Sequence, residues 1–122
     1  MKEREKFITE INKAFANCDS DFISKNVTDD IKWVIVGEKV ISGRKDFEAS
    51  LDRMKLGGPL EIQVNNMINE KNKSVVEGVV MMKQDAGKKK KYAFCYIFIF
   101  PDANEHKFSE LRTYVSPFRN KE

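Results

Sequence analysis

Apolar residues at the start of the chain recur at helical intervals. Phe7, Ile8, Ile11, Ala14, Phe15 and Cys18 form one stripe, and Lys6, Thr9, Glu10, Asn12 and Lys13 fill the other face, so the spacing predicts a helix. Asp19, Ser20 or Asp21 can cap a shorter second helix carrying Phe22, Ile23 and Val27, and Thr28-Asp29-Asp30 breaks that pattern. The stretch from Ile31 to Val36 is rich in β-branched residues around Trp33 and reads as a strand. Gly37-Glu38-Lys39 turns the chain into a short Val40-Ile41 strand. Ser42-Gly43 then opens a third helix with Phe47, Leu51 and Met54 on one face, and Gly57-Gly58-Pro59 ends it.

Everything after Pro59 alternates with the period of a strand. Leu60, Ile62 and Val64 alternate with Glu61, Gln63 and Asn65, and the phase slips at Asn66-Met67-Ile68, which predicts a bulge and a bend in the sheet. A turn at Lys71-Asn72-Lys73 leads to a strand over 74–83, and Asp85-Ala86-Gly87 turns again. The final pair covers 92–100 and 107–115, linked by Pro101-Asp102-Ala103-Asn104. Along 92–100, Tyr92, Phe94, Tyr96, Phe98 and Phe100 share one face, and Ala93, Cys95, Ile97 and Ile99 share the other. Both faces are apolar, so the pattern leaves open which one looks inward. Helices come early and a meander of strands comes late, without repeats or a linker. The reading is a single α+β domain over 1–122, with three helices of the N-terminal half packed on the concave face of a curved antiparallel sheet. Phe7, Ile11, Phe15, Phe47 and Leu51 are the expected helix contacts with that face.

Composition narrows the classes of function. With 41% hydrophobic and 34% charged residues the chain is globular, and a net charge of +3 from 22 basic and 19 acidic residues points to neither nucleic acid nor membrane. The N-terminal segment has no apolar signal region, and the longest apolar run, Tyr92 to Phe100, is too short for a membrane-spanning helix, so a cytoplasmic location is expected. Cys18 and Cys95 lie far apart without metal-ligand spacing and read as buried thiols of a reducing compartment. His106 is the single histidine. No P-loop or dinucleotide fingerprint is present, so neither a metal nor a cofactor is expected. Lys88-Lys89-Lys90-Lys91 reads as a solvated hairpin that discourages edge pairing, since no aromatic RNA platform accompanies it.

Three local stretches join the element order in suggesting a relationship: TDDIKWVIVG followed by ISG, VVEGVV, and FSELRTYVSP. With them, nearly the whole chain resembles the nuclear transport factor 2-like superfamily, in its SnoaL-like and ketosteroid isomerase-like branch. The resemblance implies a cone-shaped, cystatin-like domain, a pocket between the helices and the concave sheet, and a homodimer formed through the sheet. Enzymes of the isomerase branch place a tyrosine on the first helix, a general-base aspartate on the first strand and an acid in the late strands. In this sequence those positions fall on Ile11, on Val34 or Ile35, and on Tyr96. Valine and isoleucine cannot transfer protons, so no catalytic residue is assigned.

The candidate ligand-binding residues are Trp33, Tyr96, Arg112 and Tyr114. Tyr96 either orients a ligand with its hydroxyl or packs in the core, and the same alternatives hold for Trp33. Arg112, which alternates with Glu110 and Tyr114, either meets an anionic ligand or forms a surface or dimer ion pair. The leading function is a pocket for a small, largely apolar molecule. A cyclase- or isomerase-type enzyme with a relocated acid is the alternative, with Glu77, Glu110 and Asp85 the acids nearest the sheet. A partner-binding dimer with a filled core is the third.

Overall fold

The structure is a computed structural model and describes residues 2–83, 88–102 and 106–118. The elements run α1 (Lys2–Asn17), α2 (Ser20–Ser24), β1 (Val27–Ile35), β2 (Lys39–Ser42), α3 (Arg44–Lys55), β3 (Glu61–Asn69), β4 (Lys73–Lys83), β5 (Lys89–Ile99) and β6 (Phe108–Pro117). The expected turn at 85–87 and the second half of the 101–104 link lie outside the described residues.

The helix stripe of α1 buries Ile8, Ile11, Ala14 and Phe15. That helix stops at Cys18, which takes a left-handed φ of 59°, and the Asp19 side chain then accepts the Phe22 N–H at 3.2 Å to cap α2. Val27 does not belong to α2 as its spacing suggested. It is fully buried and pairs with Phe108, so Thr28, Asp29 and Asp30 are drawn into β1. Tertiary burial of one valine outweighs the turn preference of the three residues after it. Arg44, the first residue of α3, ties the junction together. It donates to the carbonyls of Ser24 and Val27, each at 2.6 Å, and to Asp29 at 2.9 Å.

One six-stranded, unclosed sheet has the order β2-β1-β6-β5-β4-β3. Every pairing is antiparallel except β1 with β6, which is parallel, so the sheet is mixed where the pattern suggested an antiparallel one. Only neighbours joined by a short turn are obliged to run antiparallel, and α3 with four strands separates β1 from β6. The predicted bulge is present, as a register shift between Val64 and Asn66 opposite β4, and it accompanies the curvature of the sheet. Gly78 faces this point.

The three helices cover one face of the sheet. Ile11, Phe15, Phe47 and Leu51 are buried there, and Phe7 packs against them partly exposed. The aromatic face of β5 points inward: Phe94, Phe98 and Phe100 are buried, and Phe98 meets Phe108 edge to face at 5.1 Å. Arg4 lies 3.8 Å over the Phe100 ring and donates to the carbonyls of Glu70 (3.1 Å) and Lys71 (2.8 Å), which fastens the start of α1 to the β3–β4 turn. The described lysines of the charged run belong to a strand more than to a turn. Lys89 to Lys91 are the exposed start of β5, and Lys89 pairs with Glu61.

Candidate functional site

The four candidate residues divide between the two faces of the sheet. Trp33 and Tyr96 point toward the helices, while Arg112 and Tyr114 alternate on β6 with the buried Leu111 and Thr113 and so face away. The structure therefore brings them together only in pairs. Trp33 is 9% exposed, packs on Phe47 at 5.8 Å between ring centroids, and donates its indole N–H to the Thr113 hydroxyl at 3.1 Å. Tyr96 stands opposite Thr113 in the sheet register, with its ring against Phe94 and Phe15. Burial pushes its phenol up to about 12, and among the described residues its hydroxyl makes no hydrogen bond. On the other face, Arg112 donates to Glu110 at 3.2 Å, and contacts with Tyr114 and Glu110 hold it in its charged form. Lys32 lies 3.8 Å from the same Glu110.

Two of the positions that the resemblance assigns to isomerase chemistry share a row, without its groups. Ile35, Thr113 and Tyr96 form one inward row across β1, β6 and β5, and Ile11 is fully buried on α1, while Val34 points outward. Glu77 and Glu110 also sit on the outward face, and Asp85 lies outside the described residues.

Phe15, Phe94 and Tyr96 fill the space beneath the C-terminal half of α1, and free volume lies to one side of them. It is a half-open cleft of about 290 Å³ between α1 and β3. Ala16, Ile62, Val64 and Met67 form apolar walls, Thr9 and Lys13 supply polar groups, and Asn12 adjoins them with its amide atoms closed off. The backbone N–H of Leu60 donates to the Ala16 carbonyl at 2.8 Å, which pins the approach to β3 against the end of α1. Among the described residues no carboxylate lines the cleft.

Asn12 is the residue that sequence reasoning misplaced. It is only 4% exposed, and among the described residues neither Oδ1 nor Nδ2 has a hydrogen-bond partner. The signal was available: Asn12 follows Ile8 by four residues and precedes Phe15 by three, which puts it on the buried stripe. Its polarity had assigned it to the wet face.

The outward face carries a second, shallower feature. Ala93, Cys95, Ile97 and Ile99 of β5 lie here beside Val75, Val79 and Met81 of β4. A single cross-strand row runs Val40, Val34, Arg112, Ile97, Val75, Ile68 through all six strands. Val40 is 56% and Ile68 60% exposed. The thiols are free and half-buried instead of enclosed. Cys18 donates to the Gly58 carbonyl at 3.2 Å, and burial, helped by Glu77, pushes the Cys95 thiol up. Among the described residues no helix is long and apolar enough to cross a membrane.

No protein-family model and no curated protein sequence matches the chain. Solved structures do. A nuclear transport factor 2-like protein of unknown function from Cytophaga hutchinsonii is 25% identical, with a TM-score of 0.69 over 91% of this chain and 97% of that one. The epoxide hydrolase/cyclase-like enzyme SalBIII, of pyran ring formation in the polyether salinomycin, is 15% identical with a TM-score of 0.81 over 96% and 97%. A protein from Jannaschia described as a SnoaL-like polyketide cyclase is 16% identical with a TM-score of 0.79 over 93% and 85%. The fold is that of the nuclear transport factor 2-like proteins.

Proposed function

We propose that this chain, folded as the nuclear transport factor 2-like proteins are, is a small-molecule-binding domain that holds a small, largely apolar ligand between α1 and β3. The observation that carries this reading is the cleft itself. Its walls are apolar, its volume of about 290 Å³ suits a compact ligand, and its polar groups are few and local. In this reading Trp33 and Tyr96 build the interior that shapes the space under the helices, and Arg112 and Tyr114 serve the opposite surface. An acid–base enzyme needs a proton-handling group within reach of its substrate. Glu77 and Glu110 are on the wrong side of the sheet for that, so binding without such chemistry is the reading the geometry favours.

The second part of the proposal is a cytosolic homodimer formed through the outward face. A sheet with helices on one side and water on the other alternates apolar with polar residues. β5 does not alternate, and the row from Val40 to Ile68 extends its apolar surface across the sheet. A twofold axis on this face covers it with the same residues from a second copy. The half-buried free thiols suit a reducing cytosol.

Mass spectrometry of small molecules that co-purify with the protein tests the pocket directly. The expected result is a compact, mostly apolar compound released on denaturation and absent from Val64→Trp, in which the larger side chain fills the cleft. A compound retained at full occupancy by a folded Val64→Trp protein overturns this location.

A further inference from the structure

We infer that the α1–β3 cleft selects ligands that present a neutral hydrogen-bond donor and acceptor side by side, the chemistry of a lactam, a cis secondary amide or an un-ionised carboxylic acid, and that the Asn12 side chain reads this pair. The inference rests on the binding role proposed above and adds the class of group the ligand must carry. A side-chain amide offers an acceptor oxygen and a donor nitrogen in one plane. Nearly all such groups find partners when buried. In Asn12 both are buried without one, on a helix face otherwise made of Ile8, Ile11 and Phe15, and on the wall of the cleft.

The two unmet atoms set a double requirement. A carboxylate accepts from Nδ2 but turns its second oxygen against Oδ1. An ammonium group donates to Oδ1 and leaves Nδ2 facing a cation. Only a neutral group with adjacent donor and acceptor satisfies both atoms at once, in a cyclic pair of hydrogen bonds. The amide lies closed off behind the cleft surface, and the neighbouring Met67 and Lys13 have the unbranched, adaptable side chains that can move aside for it. Ile62, Val64 and Ala16 then cover the apolar body of the ligand, and Thr9 and Lys13 stand at the rim for any outer polar substituent.

The test compares two bicyclic probes of equal size by amide NMR: the lactam dihydrocarbostyril and its carbocyclic analogue β-tetralone, which lacks the N–H. The expected result is that the lactam shifts resonances of α1 and β3 and binds about tenfold tighter than the ketone, as two hydrogen bonds against one imply. Asn12→Leu should bring the two probes to equal affinity while still binding both. Should that variant not fold, N-methyl dihydrocarbostyril answers the same question on the unaltered protein, where it should bind no better than the ketone. Equal binding of lactam and ketone in the cleft of the unaltered protein overturns the inference and leaves the cleft as a binding site. Probes that shift no α1 or β3 resonance overturn both.

Discussion

Gly78→Ala is the smallest change that tests how the β3 bulge builds the cleft wall. Gly78 lies on β4 opposite Val64, immediately before the register shift. A Cβ built there falls 1.9 Å from the Gln63 carbonyl oxygen, 3.0 Å from the Gln63 carbonyl carbon and 3.1 Å from the Val64 Cα. All three are main-chain atoms, so no side-chain rotation relieves the overlap, and the strands must separate by more than about 1 Å to recover ordinary contact. Overpacking costs about 1–3 kcal/mol when neighbours can adapt, and rigid backbone puts this case near the upper figure. At about 4 °C per kcal/mol for a domain of this size, the melting temperature should fall by roughly 12 °C. Because Val64 lines the cleft, ligand affinity should fall as well. Gly37→Ala is the matched control, since nothing lies within 4 Å of a Cβ there but φ is +88°. Its cost is conformational alone, about 1–2 kcal/mol. Thermal unfolding followed by circular dichroism measures both. A Gly78→Ala protein that melts within about 2 °C of the parent, or above Gly37→Ala, refutes the close-approach argument.

Three further outcomes follow from the same structure. Ile97→Glu places a charge in the middle of the outward row and should convert a dimer to a folded monomer in sedimentation at micromolar concentration; a monomeric parent protein removes the dimer proposal. The Tyr96 phenol is held at about 12 against an ordinary 10.0, so the folded state keeps its proton longer than the unfolded chain. Stability from this group is therefore complete below pH 10 and lost as pH rises from about 10 through about 12, and Tyr96→Phe should lack that portion of the alkaline loss in urea titrations. Thr113→Val leaves the buried Trp33 indole N–H without its acceptor and should cost about 1–3 kcal/mol by urea midpoint, with Thr113→Ser restoring most of it.

Local periodicity carried most of the fold. The stripe in α1, the glycines around α3 and the slipped phase at Asn66 are each short-range signals, and each element they indicated is present. What stayed hidden depends on partners distant in sequence. Thr28 to Asp30 read as a break because the pairing that straightens them involves Phe108 and its neighbours, far along the chain. The parallel direction of β1 on β6 leaves no mark in either strand. For β5, two apolar faces could be recognised, but only the positions of the helices decide that the aromatic one is covered. The candidate site was less legible for a different reason. Trp33, Tyr96, Arg112 and Tyr114 were chosen by chemical character, and β-strand parity alone separates Trp33 and Tyr96 from the other two. At Asn12 the polarity of the side chain points to the wet face while its angular position on the helix belongs to the buried stripe.

The parallel pairing of β1 with β6 bears on the order in which the protein assembles. β3 to β6 form a chain of neighbours in sequence, each able to fold back on the one before at little loop-closure cost. The β1–β2 hairpin has no such shortcut to β6: the Trp33–Thr113 hydrogen bond spans 80 positions. That separation makes docking of β1, and of the helices attached to it, the slow and late event, with β3 to β6 forming the nucleus. Substitutions in the β4–β5 pair should then slow folding, whereas those at the β1–β6 seam should chiefly hasten unfolding. The interior beneath the helices is closed by the last strand to dock, so the sheet of β3 to β6 can form before the interior it helps to enclose is complete.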